Sequence, residues 1–62
     1  MTVTPRMILL ELLTKTENPV PLDVAHRYLD GKTVIELTMG ALDKQNAIAF
    51  THRAKREIAA IK

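Results

Sequence analysis

The cationic side chains of this sequence are concentrated near its end, and cations bind anionic partners. Residues 1–50 contain five Lys or Arg against six Asp or Glu, whereas residues 51–62 contain four Lys or Arg against one acid. The C-terminal basic cluster, with its neighbouring histidine, consists of His52, Arg53, Lys55 and Arg56. Lysine and arginine make charge-assisted hydrogen bonds to phosphate oxygens. The placement of charge therefore predicts an anionic partner, and the alternative is a solvated charged surface.

The sequence contains no set of residues that indicates catalysis, a metal centre or a cofactor. Cys and Ser are both absent, and no Thr has a paired His–acid pattern that would activate it as a nucleophile. His26 and His52 are 26 positions apart, with no further ligand at metal-binding spacing. We predict a protein that is not an enzyme and has no metal, cofactor or small-molecule substrate.

The length of 62 residues predicts one domain that spans residues 1–62. A chain of this size buries only about 60% of its unfolded surface, and no disulfide is available to add stability. A composition with 47% hydrophobic and 26% charged residues is typical of a globular domain. The densest apolar run, residues 7–13, is interrupted by Glu11 and is far shorter than a membrane span. We expect an intracellular, cytoplasmic protein without a membrane partner.

Local signals predict two helices in the first half of the chain. Thr4 followed by Pro5 is typical of a helix start, and apolar residues at positions 8, 9, 12 and 13 form one helical stripe. The residue before Pro19 avoids the α conformation, so the first helix should end there. A second helix is predicted to open at Pro21 and to end before the turn signal Asp30–Gly31.

A third helix is predicted to begin after Thr33, because Thr33 and Glu36 have the spacing of a capping box. Ile35, Met39 and Leu42 follow at i, i+4 and i+7, and we expect them to face inward. Leu37 does not fit that inward stripe. Asn46 is predicted to end the helix, since Asn tolerates the left-handed conformation.

The last segment, residues 47–62, has two interpretations. As a β-hairpin, Ile48 and Phe50 alternate inward and residues 52–56 form a basic loop. As a helix capped by Thr51, Ala54, Ile58 and Ile61 form an apolar stripe. Residue propensities favour the helix and no tight-turn residues are present. Positive charge close to the start of such a helix opposes it, and the local arguments leave the choice open.

The order of helix, short extended piece, helix, turn, helix and basic segment resembles a winged helix-turn-helix DNA-binding domain. The resemblance is one of pattern and covers residues 4–61. The stretch Leu42-Asp43-Lys44-Gln45-Asn46-Ala47-Ile48 is similar to the end of the family's recognition helix, with Asn46 in place of a left-handed Gly. The chain departs from the family at Leu29, where a Gly usually follows the first motif helix. The resemblance favours the hairpin, so the predicted fold is mainly α with a small β-hairpin, and the alternative is four helices.

The resemblance implies that the third helix enters the major groove of double-stranded DNA and that the wing contacts phosphates. The nucleic-acid-binding residues implied in this way are Thr33, Glu36, Thr38, Lys44, His52, Arg53, Lys55 and Arg56. Arg, Lys, Asn and Gln usually read guanine and adenine, and the third helix has none of them before Lys44.

Two functional hypotheses result. The first is a small DNA-binding transcriptional regulator or accessory factor, similar in size to those of phages and plasmids. The second is a protein-interaction module in which Leu37, Gly40 and Ala41 face a partner protein. A small core also favours a homodimer.

Overall fold

A computed structural model describes residues 3–60 and consists of four helices. They are α1 (Pro5–Lys15), α2 (Leu22–Asp30), α3 (Val34–Gly40) and α4 (Lys44–Ala60). Within residues 3–60 no strand is present. The predicted winged helix with a β-hairpin was therefore wrong, and the four-helix alternative was correct. Ile61 and Lys62, which the sequence placed in the apolar stripe and in the basic segment, lie outside the described residues.

The start of α1 follows its local signals. The Oγ1 atom of Thr4 accepts a hydrogen bond from the backbone N–H of Met7 at 3.2 Å, and Pro5 occupies the first turn. After Lys15 the chain turns through Asn18, which has a left-handed φ of 55°. The N–H of Val20 then donates to the carbonyl of Leu13 at 2.8 Å, so the connection is pinned back on α1. The predicted first helix is confirmed.

The second and third helices also begin where the sequence predicts. In the capping box of α3, Thr33 Oγ1 accepts from the N–H of Glu36 at 3.1 Å. The Thr33 N–H in turn donates to Glu36 Oε1 at 3.2 Å. This reciprocal pair satisfies backbone donors that a helix start would otherwise leave unpaired. However, α3 ends at Gly40, so Asn46 is not its C-terminal cap.

Helix α4 replaces the predicted hairpin and is continuous over 17 residues. Asp43 caps it, because its Oδ1 accepts from the N–H of Asn46 at 2.8 Å. The buried residues Ala47, Phe50, Thr51 and Ala54 have the i, i+3, i+4 and i+7 spacing of a helix face. Because α4 begins at Lys44, His52 and Arg53 do not lie at its positively polarised N-terminus, and their charge no longer opposes helix formation.

The core lies around α1, which contacts the other three helices. Leu9 and Leu13 on α1 and Leu29 on α2 are the largest side chains that are completely buried. Phe50 reaches the same core from α4, and its ring meets the ring of Tyr28 edge-on with 6.2 Å between centroids. This packing fixes one side of α4 against the bundle and leaves its other side in solvent.

Helix α3 is rotated relative to the predicted register. Leu37 and Gly40 are buried, whereas Ile35, Met39 and Leu42 are 75%, 57% and 62% exposed. The predictions that the latter three face inward and that Leu37 faces outward were wrong. The reason is the close approach of α3 to α4, where the ring of Phe50 occupies the space a Cβ on Gly40 would take. None of the helices described within residues 3–60 is long and apolar enough to cross a membrane.

Candidate nucleic-acid-binding site on the fourth helix

The exposed side of α4 carries a row of polar and cationic residues. The α4 outer face, as we define it, consists of Gln45, Ala49, His52, Arg53 and Arg56, all of which are exposed. Their spacing of i, i+4, i+7, i+8 and i+11 places them on one side of an α-helix, over a rise of about 16 Å. The side chains at this surface are hydrogen-bond donors and cations, with a small alanine at the centre.

The single acid in the second half of α4 is turned away from this face. Glu57 points toward α2, where its Oε1 accepts from the hydroxyl of Tyr28 at 2.8 Å. The Nζ of Lys32 lies 3.8 Å from the same oxygen. Burial of the Tyr28 hydroxyl, together with the Glu57 carboxylate, raises the pKa of Tyr28 to about 12. Glu57 is thus held at the α2 side, where it lines the same groove as Arg53, while His52 and Arg56 lie on the other flank of α4.

Lys55 belongs to the predicted basic cluster, but it has an internal role. Its Nζ donates to Thr16 Oγ1 at 2.9 Å and to the carbonyl of Glu17 at 2.6 Å. The half-buried stem crosses from α4 to the end of α1. Lys55 therefore ties α4 to the α1–α2 connection, and it is less available to an external anion than its neighbours.

The remaining members of the basic cluster lie on both flanks of α4. His52 and Arg56 line an open groove of about 690 Å³ between α4 and the end of α1. Arg53 lines a second groove of about 440 Å³ between α4 and the α2–α3 side of the bundle. Among the described residues, neither Arg53 nor Arg56 has a carboxylate within ion-pair distance. The α4 helix is therefore a ridge with a free guanidinium on each side.

Three of the residues that were predicted to contact DNA from the third helix form hydrogen bonds within α3 or its N-terminal cap. Thr33 and Glu36 hydrogen-bond to each other in the capping box, and these bonds lower the pKa of the Glu36 carboxyl. The hydroxyl of Thr38 donates to the carbonyl of Val34 at 2.8 Å, so it is already used within the helix. Lys44 is exposed at the start of α4. Lys44 was predicted to contact DNA as part of the third helix, and in the structure it is the first residue of α4.

The three residues predicted as a protein interface lie toward the interior. Leu37 is 8% exposed, Gly40 is buried beneath the Phe50 ring, and Ala41 is half-buried. These three positions lie where α3 packs against the rest of the bundle, so they do not form an outward surface.

Sequence reasoning missed Gln45, Asn46 and Ala49 as neighbours of the basic cluster. The signal that places them there is Asp43, a good N-terminal cap followed by residues 44–62, which contain no Gly or Pro. Once the helix begins at residue 44, the helical period brings Gln45 and Ala49 onto the face of Arg53 and Arg56.

Comparison with protein-family models, with curated proteins and with solved structures finds no match to this chain. In the part of the chain from residue 3 to residue 60, no three His, Asp or Glu side chains are grouped to hold a metal ion.

Proposed function

We propose that this protein binds double-stranded DNA through the α4 outer face, as a small regulator or accessory factor. The observation that carries the proposal is the composition of this face, which has a histidine, a glutamine and two arginines that form no ion pair within residues 3–60. Arginine and glutamine are the side chains that make bidentate hydrogen bonds to guanine and adenine. This assignment moves the DNA-contacting element from the third helix to the fourth.

The dimensions of α4 support entry into the major groove. The helix has 17 residues and a length of about 25 Å, and the major groove, about 12 Å wide, accommodates an α-helix. Ala49 adds almost no bulk at the centre of the outer face, so the helix axis is able to approach the base edges closely. Gln45 and Arg56 lie on either side of it along the helix.

The two flanks of α4 match the two phosphate strands that border the groove. Arg56 and His52 lie on one flank and Arg53 on the other. A helix seated in the groove therefore brings a cation toward each strand. Lys44, at the beginning of the helix, supplies a further phosphate contact, whereas Lys55 stays tied to Thr16 and Glu17.

The test is a salt titration of binding to a random duplex, followed by fluorescence anisotropy. We expect binding at low salt, with a log–log slope that falls by about 0.9 for each phosphate contact removed. The double variant Arg53→Ala/Arg56→Ala should flatten the slope by about two. A charge-matched control, Lys15→Ala/Arg27→Ala, removes two exposed cations outside α4 and should leave the slope nearly unchanged.

Absence of binding by the wild-type chain at low salt would refute DNA binding. Equal flattening by the two double variants would show that net charge, and not the α4 outer face, governs the interaction. Lys55→Met should change the slope by less than half of the effect of Arg56→Ala, because its ammonium group is already hydrogen-bonded.

A second candidate function, a protein-interaction module, is favoured by a different observation. The outer side of α3 exposes the large apolar side chains of Val34, Ile35 and Met39, and Glu36 is the one charged residue of this helix, a composition that suits a protein partner better than DNA. Substitution of Ile35 by Glu tests this function, since it should abolish association with a protein partner without changing the helical content of the chain. If association persists in that variant, the α3 side is not an interface.

A further inference from the structure

His52 lies on the wall of the groove between α4 and the end of α1, and it is exposed to solvent. Arg56 lies one helical turn further along the same wall. The opposite wall is formed by the end of α1 and the connection that follows it, through Thr16, Glu17 and Asn18. A DNA strand seated on this flank of α4 therefore brings its phosphates close to both His52 and Arg56.

The charged groups that share the groove with His52 come from two parts of the chain. On α4 they are Lys55 and Arg56, and on the α1–α2 connection the groove is lined by Glu17. Lys55 is already hydrogen-bonded to the end of α1 and to the carbonyl of Glu17. The charged residues that line the groove on the other flank of α4 are Lys32, Glu36, Arg53 and Glu57. At neutral pH, Arg56 is therefore the cation of this groove that is available to a phosphate.

The positive charge of this flank is able to change at His52. Histidine is the side chain whose charge changes between about pH 5 and pH 8. The sequence has two histidines, and His52 is the one that lies on α4. His26 lies on α2, where its Nδ1 is 3.2 Å from Nη2 of Arg6. Arg56 stays charged over the whole range, because a guanidinium group is not deprotonated in proteins.

We infer, resting on the proposed function, that DNA binding by the α4 outer face is coupled to uptake of a proton by His52. A phosphodiester beside the ring makes a charge-assisted hydrogen bond with the imidazolium, which is stronger than any bond with the neutral ring. The complex therefore binds more protons than the free protein and free DNA together. By linkage, the affinity for DNA rises as the pH falls through the range in which imidazole titrates.

The expected effect is modest, because the site is exposed. An exposed ion pair changes an equilibrium by about two- to fivefold. A change from about pH 7.5 to about pH 5.5 should therefore raise the affinity by about that factor. The log–log salt slope should also steepen by up to about 0.9, which corresponds to one further phosphate contact. Glu17, on the opposite wall, limits the effect because its carboxylate offers the imidazolium a partner in the free protein.

The test is the same fluorescence-anisotropy salt titration with a random duplex, carried out at about pH 7.5 and at about pH 5.5. His52→Gln is neutral at both pH values and should bind as weakly as the wild type does at the higher pH, with one slope. His52→Arg is charged at both and should bind as tightly as the wild type does at the lower pH. His26→Gln is the matched control, because it removes the histidine outside α4 and should keep the pH dependence of the wild type.

Binding by the wild type with an affinity and a slope that do not change with pH would overturn the inference and leave DNA binding standing. Retention of the pH dependence in His52→Gln, or its loss in His26→Gln alone, would also overturn it. Absence of binding at both pH values in low salt would refute the proposed function itself, so the two failures are distinguishable. Circular dichroism at both pH values confirms that each variant keeps its helices. His52 is exposed, so both of its substitutions should fold, and either one tests the inference.

Discussion

The contact between Gly40 and Phe50 makes a sharp prediction about the stability of the bundle. A Cβ added at Gly40 would lie 2.6 Å from Cδ2 of Phe50, and 3.2 and 3.3 Å from Cγ and Cε2 of the same ring. The ring is 5% exposed and its edge meets the ring of Tyr28, so it cannot move without disturbing that contact. Gly40→Ala must therefore displace α3 from α4 or push Phe50 off its preferred rotamer.

The expected cost follows from the two opposing effects of the added methyl group. Overpacking of a core costs about 1–3 kcal/mol, while replacement of Gly by Ala in a helix returns at most about 1 kcal/mol and less at the last residue. The net loss in the free energy of unfolding should be about 1–2 kcal/mol. For a domain of this size, it corresponds to a fall in Tm of about 4–16 °C.

The assay is thermal unfolding followed by far-ultraviolet circular dichroism, with Gly31→Ala as the matched control. At Gly31 the added Cβ meets only the carbonyl oxygen of Tyr28, at 3.5 Å, and φ is −79°. Alanine adopts that conformation without strain, so the control should be neutral or stabilised by about 0.4–1 kcal/mol. The two glycine substitutions should thus move Tm in opposite directions or differ by several degrees.

An unchanged or raised Tm in Gly40→Ala would refute this reasoning. It would mean that α3 is free to move away from α4 at no cost. The close approach would then not explain why Leu37 faces inward and Ile35 outward.

Four further predictions concern the phenol of Tyr28, the capping box, the core and the Lys55 contact. The pKa of Tyr28 is raised from 10.0 to about 12 in the folded chain, so the protonated phenol contributes stability that is present below pH 10 and is lost as the pH rises toward 12. An ultraviolet titration should place its midpoint near 12, and Glu57→Gln should lower it; a midpoint near 10 in the wild type would contradict the hydrogen bond from Tyr28 to Glu57. The pKa of Glu36 is lowered from 4.5 by its bonds to Thr33, so its contribution is present above pH 4.5 and is lost as the pH falls below that value. Denaturant unfolding of Glu36→Gln between pH 3 and pH 6 should therefore show a weaker acid dependence than the wild type, and identical profiles would exclude this role. Leu29→Ala removes a fully buried side chain and should cost about 2–5 kcal/mol in chemical denaturation; a cost below about 1 kcal/mol would show that the core collapses around the cavity. Lys55→Met should accelerate amide hydrogen exchange in residues 16–20, because it removes the bonds to Thr16 and Glu17, and unchanged exchange would show that the connection is held by Val20 alone.

The beginnings of the first three helices could be predicted from the sequence, because they depend on local chemistry. Thr4 and Pro5 start α1, and the Thr33–Glu36 capping box starts α3, as expected. Each signal acts over a few residues and does not depend on the rest of the fold. The choice between hairpin and helix in the last segment was decided by Asp43, a cap outside the segment that was being interpreted.

The register of α3 could not be predicted, because its apolar residues fit two faces. Ile35, Met39 and Leu42 have a helical spacing and make an apparently good core stripe. The buried side is instead chosen by Gly40, which allows Phe50 to pack directly on the helix backbone. A tertiary contact between Gly40 and Phe50, ten positions apart, decides which face of α3 is buried. The periodicity of the apolar residues alone does not predict this contact. The sequence placed the candidate site on the third helix and the wing because the hairpin was favoured, whereas the structure places His52, Arg53 and Arg56 on the continuous helix α4.

The central position of α1 has a consequence for synthesis of the chain. Leu9 and Leu13 are synthesised before α4, yet part of their cover comes from α4. A nascent chain that lacks α4 keeps these leucines partly open to water and to other nascent chains. The last seventeen described residues therefore complete folding as well as carry the basic surface, so termination before Phe50 would remove stability and the α4 outer face together.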